Sequence, residues 1–219
     1  MKYAAIIFDL DGTIIDTEAI WKKALVQLLE TRGITLERTD FDQLHEKIIG
    51  VGEREACSII KKETGIKDSA ATLISEQSST ACKLYKQEVK FIKGFTSFHQ
   101  KVKKLKLKHG IATNATPQTL ELATQKLSLD SYFGTHMYCL ADVNYVGKPN
   151  PAIYLHAAKK LDMKPQSCIA IEDSYCGIKA AKNAGMFCIG INTGKNRALL
   201  QEADLIVESY NEIELDLFF

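Results

Sequence analysis

A chain of 219 residues with 28 Lys and Arg against 27 Asp and Glu carries a formal net charge of +1, which excludes both the basic footprint of a nucleic-acid or anionic-membrane binder and the acidic excess of a disordered segment. At 46% hydrophobic and 25% charged residues, the composition is that of a globular protein large enough for one big domain or a core with a smaller second unit. Four prolines and 13 glycines leave no room for a collagenous or linker-rich chain.

Residues 3–8, Tyr-Ala-Ala-Ile-Ile-Phe, are short, apolar and followed by a polar turn, so they read as a strand buried on both faces. The run falls far short of the roughly 20 residues of a membrane span, and Asp9 ends it. With only Lys2 ahead of it, it also lacks the shape of a secretory signal, whose apolar core runs to about 7–15 residues. A cytoplasmic protein with no membrane partner is the expectation. From Thr17 to Glu88 the pattern is helical throughout. Residues 19–32 place Ile20, Ala24, Leu25 and Leu28 on one face, and 41–49, Glu53–Thr64 and Ala70–Glu88 follow with the same period. Gly33, Gly50, Gly52 and Gly65 punctuate the series.

Beyond that block, helices and strands alternate. Residues 95–108 carry Phe98, Val102 and Leu105 at helical spacing, 110–113 are strand-like, and Pro117–Leu127 is a helix with proline in its first turn. A short strand over 136–140, a helix over 151–161 and a strand over 168–171 come next. A helix over 177–184, closed by Gly185, and strands at Phe187–Ile191 and Leu205–Val207 complete the chain. This is an α/β pattern: a Rossmann-like, doubly wound parallel sheet formed by 1–16 and 89–219, with a small all-helical cap domain, 17–88, inserted after the first strand. Such sheets bind ligands beyond the carboxyl ends of their strands.

The first strand runs into Asp9-Leu10-Asp11-Gly12-Thr13, and carboxylates at i and i+2 leaving a strand point to one side. Two acids so close cannot both ionise cheaply. Either one keeps its proton or a cation sits between them, and both arrangements suit a catalyst better than an ordinary Asp-Gly turn.

With this motif the chain resembles the haloacid dehalogenase superfamily, in particular its phosphatases and phosphomutases with a small helical cap after the first motif. Asp16-Thr17-Glu18, Thr113-Asn114, Gly147-Lys148-Pro149 and Ile171-Glu172-Asp173-Ser174, with Gly177 and Ala180-Ala181 behind it, extend the resemblance over nearly the whole chain. It implies that Asp9 is the nucleophile that forms an aspartyl phosphate and that Asp11 is the acid and base. It implies a magnesium ion held by Asp9, Asp173 and the Asp11 backbone carbonyl, with Glu172 acting through water. Lys148 would supply positive charge to Asp9 and the phosphoryl group, while the Thr113 hydroxyl and the Asn114 amide donate to that group. Read without the other motifs, Lys148 is a surface lysine, Thr113-Asn114 a strand exit, and Glu172-Asp173 a turn before a helix capped by Ser174.

In the cap, the segment from Thr17 to Trp21 and the loop from Gly50 to Arg54 are the expected substrate contacts. The family's sugar-phosphate mutase carries histidine and arginine where this chain carries Trp21 and Glu53. Arg54 lies one place along, about 100° away on a helix, and Trp21 serves equally well as packing for the first cap helix. The resemblance therefore implies a phosphatase of a small phosphorylated metabolite, either a sugar phosphate or a nucleoside monophosphate, acting as a monomer or weak dimer. A sugar phosphomutase is the alternative, and a non-catalytic binding protein would have lost Asp9, Asp11 or Lys148. A dehalogenase needs neither a second aspartate nor a metal. The six cysteines form no C-x-x-C pair and read as reduced thiols, the five histidines show no ligand spacing, and Lys101 to Lys108, interrupted by Val102, Leu105 and Leu107, reads as a solvated helix face.

Overall fold

A computed structural model describes residues 3–48 and 53–219. The chain forms two compact units, one of Met1–Asp16 with Val89–Phe219 and one of Thr17–Glu88. In chain order, β1 (Ala5–Phe8) and β2 (Ile15–Asp16) lead into four helices: α1 (Glu18–Glu30), α2 (Arg38–Ile48), α3 (Glu53–Thr64) and α4 (Ala70–Glu88). After them come β3 (Lys90–Phe91), α5 (Phe95–Lys104), β4 (Lys108–Ala112), α6 (Pro117–Leu127), α7 (Leu129–Phe133) and β5 (Met137–Tyr138). The chain ends through α8 (Ala152–Lys160), β6 (Cys168–Glu172), α9 (Tyr175–Asn183), β7 (Phe187–Ile191) and β8 (Leu205–Val207).

Six strands make one wholly parallel sheet in the order β5-β4-β1-β6-β7-β8. Parallel strands need helical crossovers that cover both faces, which is why β1 is apolar at every position and fully buried. Successive side chains alternate sides. Phe8 meets the edges of Phe95, Phe98 and Phe133, while Ile7 joins Ala112, Ala170, Ile153, Tyr154 and Ile178 in the core of the other face. Because the crossovers run outward from β1 in both directions, its carboxyl end is the point where the winding reverses.

The helical unit is built as its periodicity predicts. Ile20, Ala24, Leu25 and Leu28 of α1 are buried, and Leu25, Leu28 and Leu29 pack with Leu44, Cys57, Ile60, Ile66 and Leu73 into an aliphatic core. Among the described residues no helix is long and apolar enough to cross a membrane.

Two expectations are corrected in the α/β unit. The helix expected over 95–108 stops at Lys104, because Lys106 takes a left-handed φ of 54° and Lys108 already pairs in β4. The strand expected over 136–140 shortens to Met137–Tyr138, since Asp142 accepts a 2.8 Å hydrogen bond from the Cys139 amide and winds Leu140–Val143 into a 3₁₀ turn. Apart from the main sheet, β2 and β3 pair antiparallel, Ile15 with Phe91 and Asp16 with Lys90, and so tie together the strands by which the chain leaves and re-enters the sheet unit.

Candidate active site

Four segments converge at the winding reversal. Asp9 follows β1, Thr113 follows β4, Asp173 follows β6, and Lys148 lies in the loop ahead of α8. The turn after β1 is held from several sides. Gly12 has φ +82°, and a Cβ there would overlap the Asp173 carboxylate, so only glycine lets the two segments close. Thr193 Oγ1 donates to the Gly12 carbonyl at 2.6 Å, and the buried Tyr210 hydroxyl donates to the Thr13 carbonyl at 3.0 Å. Thr13 in turn donates to Asp173 Oδ1 at 3.0 Å.

Lys148 is the centre of charge. Its side chain is 3% exposed, and Nζ lies 2.5 Å from Asp9 Oδ1 and 2.6 Å from Glu172 Oε1. The Lys148 amide donates to Asn114 Oδ1 at 2.9 Å, which ties the lysine loop to the exit of β4. Thr113 Oγ1 accepts from the Ala115 amide at 3.0 Å. Glu172 is fully buried, and its Oε2 accepts from the Asp173 amide, the Ser174 amide and Ser174 Oγ at 3.2, 3.4 and 3.2 Å. Ser174 also caps α9, with Oγ accepting from the Gly177 amide at 3.1 Å. The turn-and-cap reading of Glu172-Asp173 and the acidic-site reading thus hold together.

Burial pushes the Asp9 carboxyl from 3.8 up to about 8, against the pull of Lys148 and with Glu172 and Asp11 adding to the rise. Asp173 is driven well above the carboxylate range, by burial first and then by Asp9 and Glu172. Burial opposes the charge on Lys148 too, but Asp9 and Glu172 outweigh it and hold the ammonium protonated. One ammonium does not balance three carboxylates, two of them buried and the third, Asp173, half-buried. Asp9, Glu172 and Asp173 each bring a carboxylate oxygen within 4.8 Å of the others. An all-oxygen donor set that lacks positive charge fits a hard divalent cation.

Asp9, Lys148, Glu172 and Asp173 are therefore brought together by the α/β unit, with Asn114 tied to the Lys148 loop, Thr113 beside it at the exit of β4 and Asp11 two residues beyond Asp9 on the same turn. Trp21, half-buried on α1, and Arg54, exposed in the first turn of α3, are carried by the helical unit. Residues 50–52 of the expected cap loop lie outside the described residues. Three contributors escape the motifs: Tyr154, whose hydroxyl donates to Glu172 Oε1 at 2.8 Å, and the tethers Thr193 and Tyr210. Tyr154 could have been flagged from the period of α8, which turns a hydroxyl-bearing ring inward among Ile153, Ala157 and Ala158.

The family profile of the haloacid dehalogenase-like hydrolases matches residues 6–191. The chain is 32% identical over 215 residues, 95% of each protein, to a phosphorylated carbohydrates phosphatase of Thermotoga maritima. It is 28% identical to the β-phosphoglucomutase of Bacillus subtilis, over 97% of this chain and 92% of that one. Among solved structures, a conserved haloacid dehalogenase-like protein from Agrobacterium tumefaciens superposes with a TM-score of 0.83 at 25% identity, covering 98% of this chain and 97% of the other.

Proposed function

The chain belongs to the haloacid dehalogenase-like hydrolases, and from that membership we propose that it is a magnesium-dependent phosphatase that hydrolyses a small phosphorylated metabolite, a sugar phosphate or nucleoside monophosphate, through an aspartyl phosphate on Asp9. The observation that carries the reading is the cluster of Asp9, Glu172 and the half-buried Asp173 at the winding reversal, with Lys148 paired to Asp9 and Glu172. The likeness to a phosphatase of phosphorylated carbohydrates supports the substrate class.

Asp9 attacks phosphorus in line, its carboxylate oxygen forming the new P–O bond while the bond to the substrate alkoxide breaks. Asp11 gives its proton to the departing alkoxide. It then takes a proton from a water whose oxygen attacks the acyl phosphate, which releases inorganic phosphate and restores Asp9. Lys148 neutralises Asp9 and meets the phosphoryl oxygens, joined by the Thr113 hydroxyl and the Asn114 amide. Asp9, Asp173 and the Asp11 carbonyl would hold magnesium, with Glu172 acting through water. When bound, the ion supplies the positive charge that lets one anion approach another. In the helical unit, Trp21 and Arg54 are the proposed substrate contacts.

A phosphomutase is the second reading, favoured by the likeness to β-phosphoglucomutase. It must retain a bisphosphorylated intermediate, which calls for a cationic clamp in the helical unit. At position 53 this chain has an acid, a residue type that offers no cation for a distal phosphate. Phosphate release across a panel of phosphorylated metabolites tests both readings. Activity should require magnesium and vanish with EDTA, and glucose 1-phosphate given with glucose 1,6-bisphosphate should yield inorganic phosphate and little glucose 6-phosphate. Glucose 6-phosphate accumulating faster than free phosphate would replace the phosphatase with a mutase. Full activity in EDTA would remove the metal.

A further inference from the structure

Tyr154 belongs to none of the motifs that define the site. It lies in the first turn of α8, fully buried in an apolar core that includes Ile153, Ala157, Ile178 and Cys188, where a phenol hydroxyl requires a partner. That partner is Glu172 Oε1, at 2.8 Å. The same oxygen accepts from Lys148 Nζ at 2.6 Å. Lys148 Nζ is also 3.5 Å from the phenol oxygen and 4.9 Å from the centre of its ring. The ammonium therefore donates to three acceptors, weakly to the Tyr154 hydroxyl oxygen and closely to the two charged ones, Glu172 Oε1 and Asp9 Oδ1. Glu172 Oε2 is already committed to the Asp173-Ser174 turn. Oε1 is thus the oxygen that competes with Asp9 for the lysine, and Tyr154 donates to that oxygen.

We propose that Tyr154 is a positioning residue: its hydroxyl, by satisfying part of Glu172 Oε1, weakens the hold of Glu172 on Lys148 and keeps the ammonium shared with Asp9, where the phosphoryl group arrives. The proposal rests on the phosphatase reading above. A neutral donor on a buried carboxylate makes a charge-assisted hydrogen bond. Without it, Lys148 alone serves Oε1, and the ammonium moves toward Glu172 and away from the nucleophile. A space-filling role, by contrast, is met by the ring alone, which Tyr154→Phe retains.

The test compares wild type, Tyr154→Phe, Glu172→Gln and the double variant in phosphate release and thermal unfolding. Tyr154→Phe should lower kcat about tenfold, the order of one hydrogen bond to a charged acceptor, and leave KM within about threefold. Its Tm should stay within about 4 °C of wild type. In the Glu172→Gln background the acceptor charge is gone, so adding Tyr154→Phe should cost less than about twofold more. An unchanged kcat, losses that multiply in the double variant, or a loss of activity that tracks a fall in Tm would each overturn the proposal. If wild type releases phosphate from no substrate, the phosphatase reading fails by itself. Tyr154 is then judged from crystal structures of wild type and Tyr154→Phe: Lys148 Nζ displaced beyond hydrogen-bond reach of Asp9 in the variant supports the role, and an unmoved pair overturns it.

Discussion

In the α/β unit a cluster of paired charges is inside, and in the helical unit the paired charges lie mostly at the surface. Asp9 and Glu172 are buried at the ends of apolar strands and Lys148 is buried in the loop ahead of α8, each held by named donors or acceptors. The helical unit instead sets an aliphatic core beneath surface pairs such as Lys22–Asp42, Lys23–Glu88 and Lys47–Glu63, all with half-exposed side chains. Pairs of that kind contribute about 0–1 kcal/mol each. A buried charge costs several kcal/mol unless it is compensated, so a fold keeps one where its chemistry is used. The helical unit shows the packing of four amphipathic helices.

The sharpest way to break this contrast is Asp9→Asn. The amide keeps the volume and the Lys148 contact but loses nucleophilicity, so turnover should fall by about 10⁴-fold or more. The fold should survive, since burial already favours an uncharged group at that position. Phosphate release and thermal unfolding of the variant check both halves, and near-normal turnover in a folded variant would remove Asp9 from the chemistry.

The same contrast decides how much of the molecule is legible in its sequence. Asp9-Leu10-Asp11-Gly12-Thr13 and Ile171-Glu172-Asp173-Ser174 stand out because short apolar strands deliver the acids, and strand and acid are adjacent in the chain. The faces of α1 follow from period alone. The β2–β3 pair and α7 leave no such trace: two-residue strands and a five-residue helix are too short to display a period. The early stop of α5 is hidden because a lysine, not a glycine, takes the left-handed turn. Lys148 by itself looks like any surface lysine, and its burial is decided by Asp9 and Glu172, which lie far away in sequence. The bond from Tyr154 to Glu172 is equally a product of the tertiary fold, with no local signature.

A second prediction sharpens the contrast through backbone rather than charge. Gly177 sits in the first turn of α9, where Gly→Ala ordinarily stabilises a helix by about 1 kcal/mol. Here the added Cβ would overlap the Glu172 carboxylate. Gly177→Ala should therefore reverse the usual sign, destabilising by about 1–3 kcal/mol in urea unfolding and lowering kcat as well. A more stable, fully active variant would mean that Glu172 has room to move.

Two buried histidines compare the units under acid. His99 on α5 packs edge-on against Tyr132 and Phe133, and its Nε2 has no hydrogen-bond partner among the described residues. Burial, helped by His109 and Lys103, lowers it from 6.5 to about 4. In the helical unit, burial and Lys22 also lower His45. A depressed histidine favours the folded state while neutral, so its contribution is complete above the unfolded value of 6.5. For His99 it is lost as pH falls from 6.5 toward 4, by about 2 kcal/mol after allowance for screening. The difference in unfolding free energy between wild type and His99→Phe, followed from pH 7.5 to 4.5, isolates this loss from the titrating acids of the site. A flat difference would mean that the imidazole is charged in the fold at little cost.

The smallest effect is expected at Arg54, and it bears directly on the division between the units. An exposed guanidinium in the first turn of α3 acts through solvent. Contact with a second anionic group on the substrate would then be worth no more than an exposed ion pair, about 0.2–1 kcal/mol. Arg54→Ala should accordingly raise KM by about twofold to fivefold and leave kcat unchanged, because a contact made equally in the ground and transition states is lost from binding alone. Steady-state kinetics on the best substrate of the panel reads both constants. A collapse of kcat would place a helical-unit side chain in the transition state. It would also make Arg54 the clamp that a mutase requires, and the reacting machinery would no longer be confined to the α/β unit.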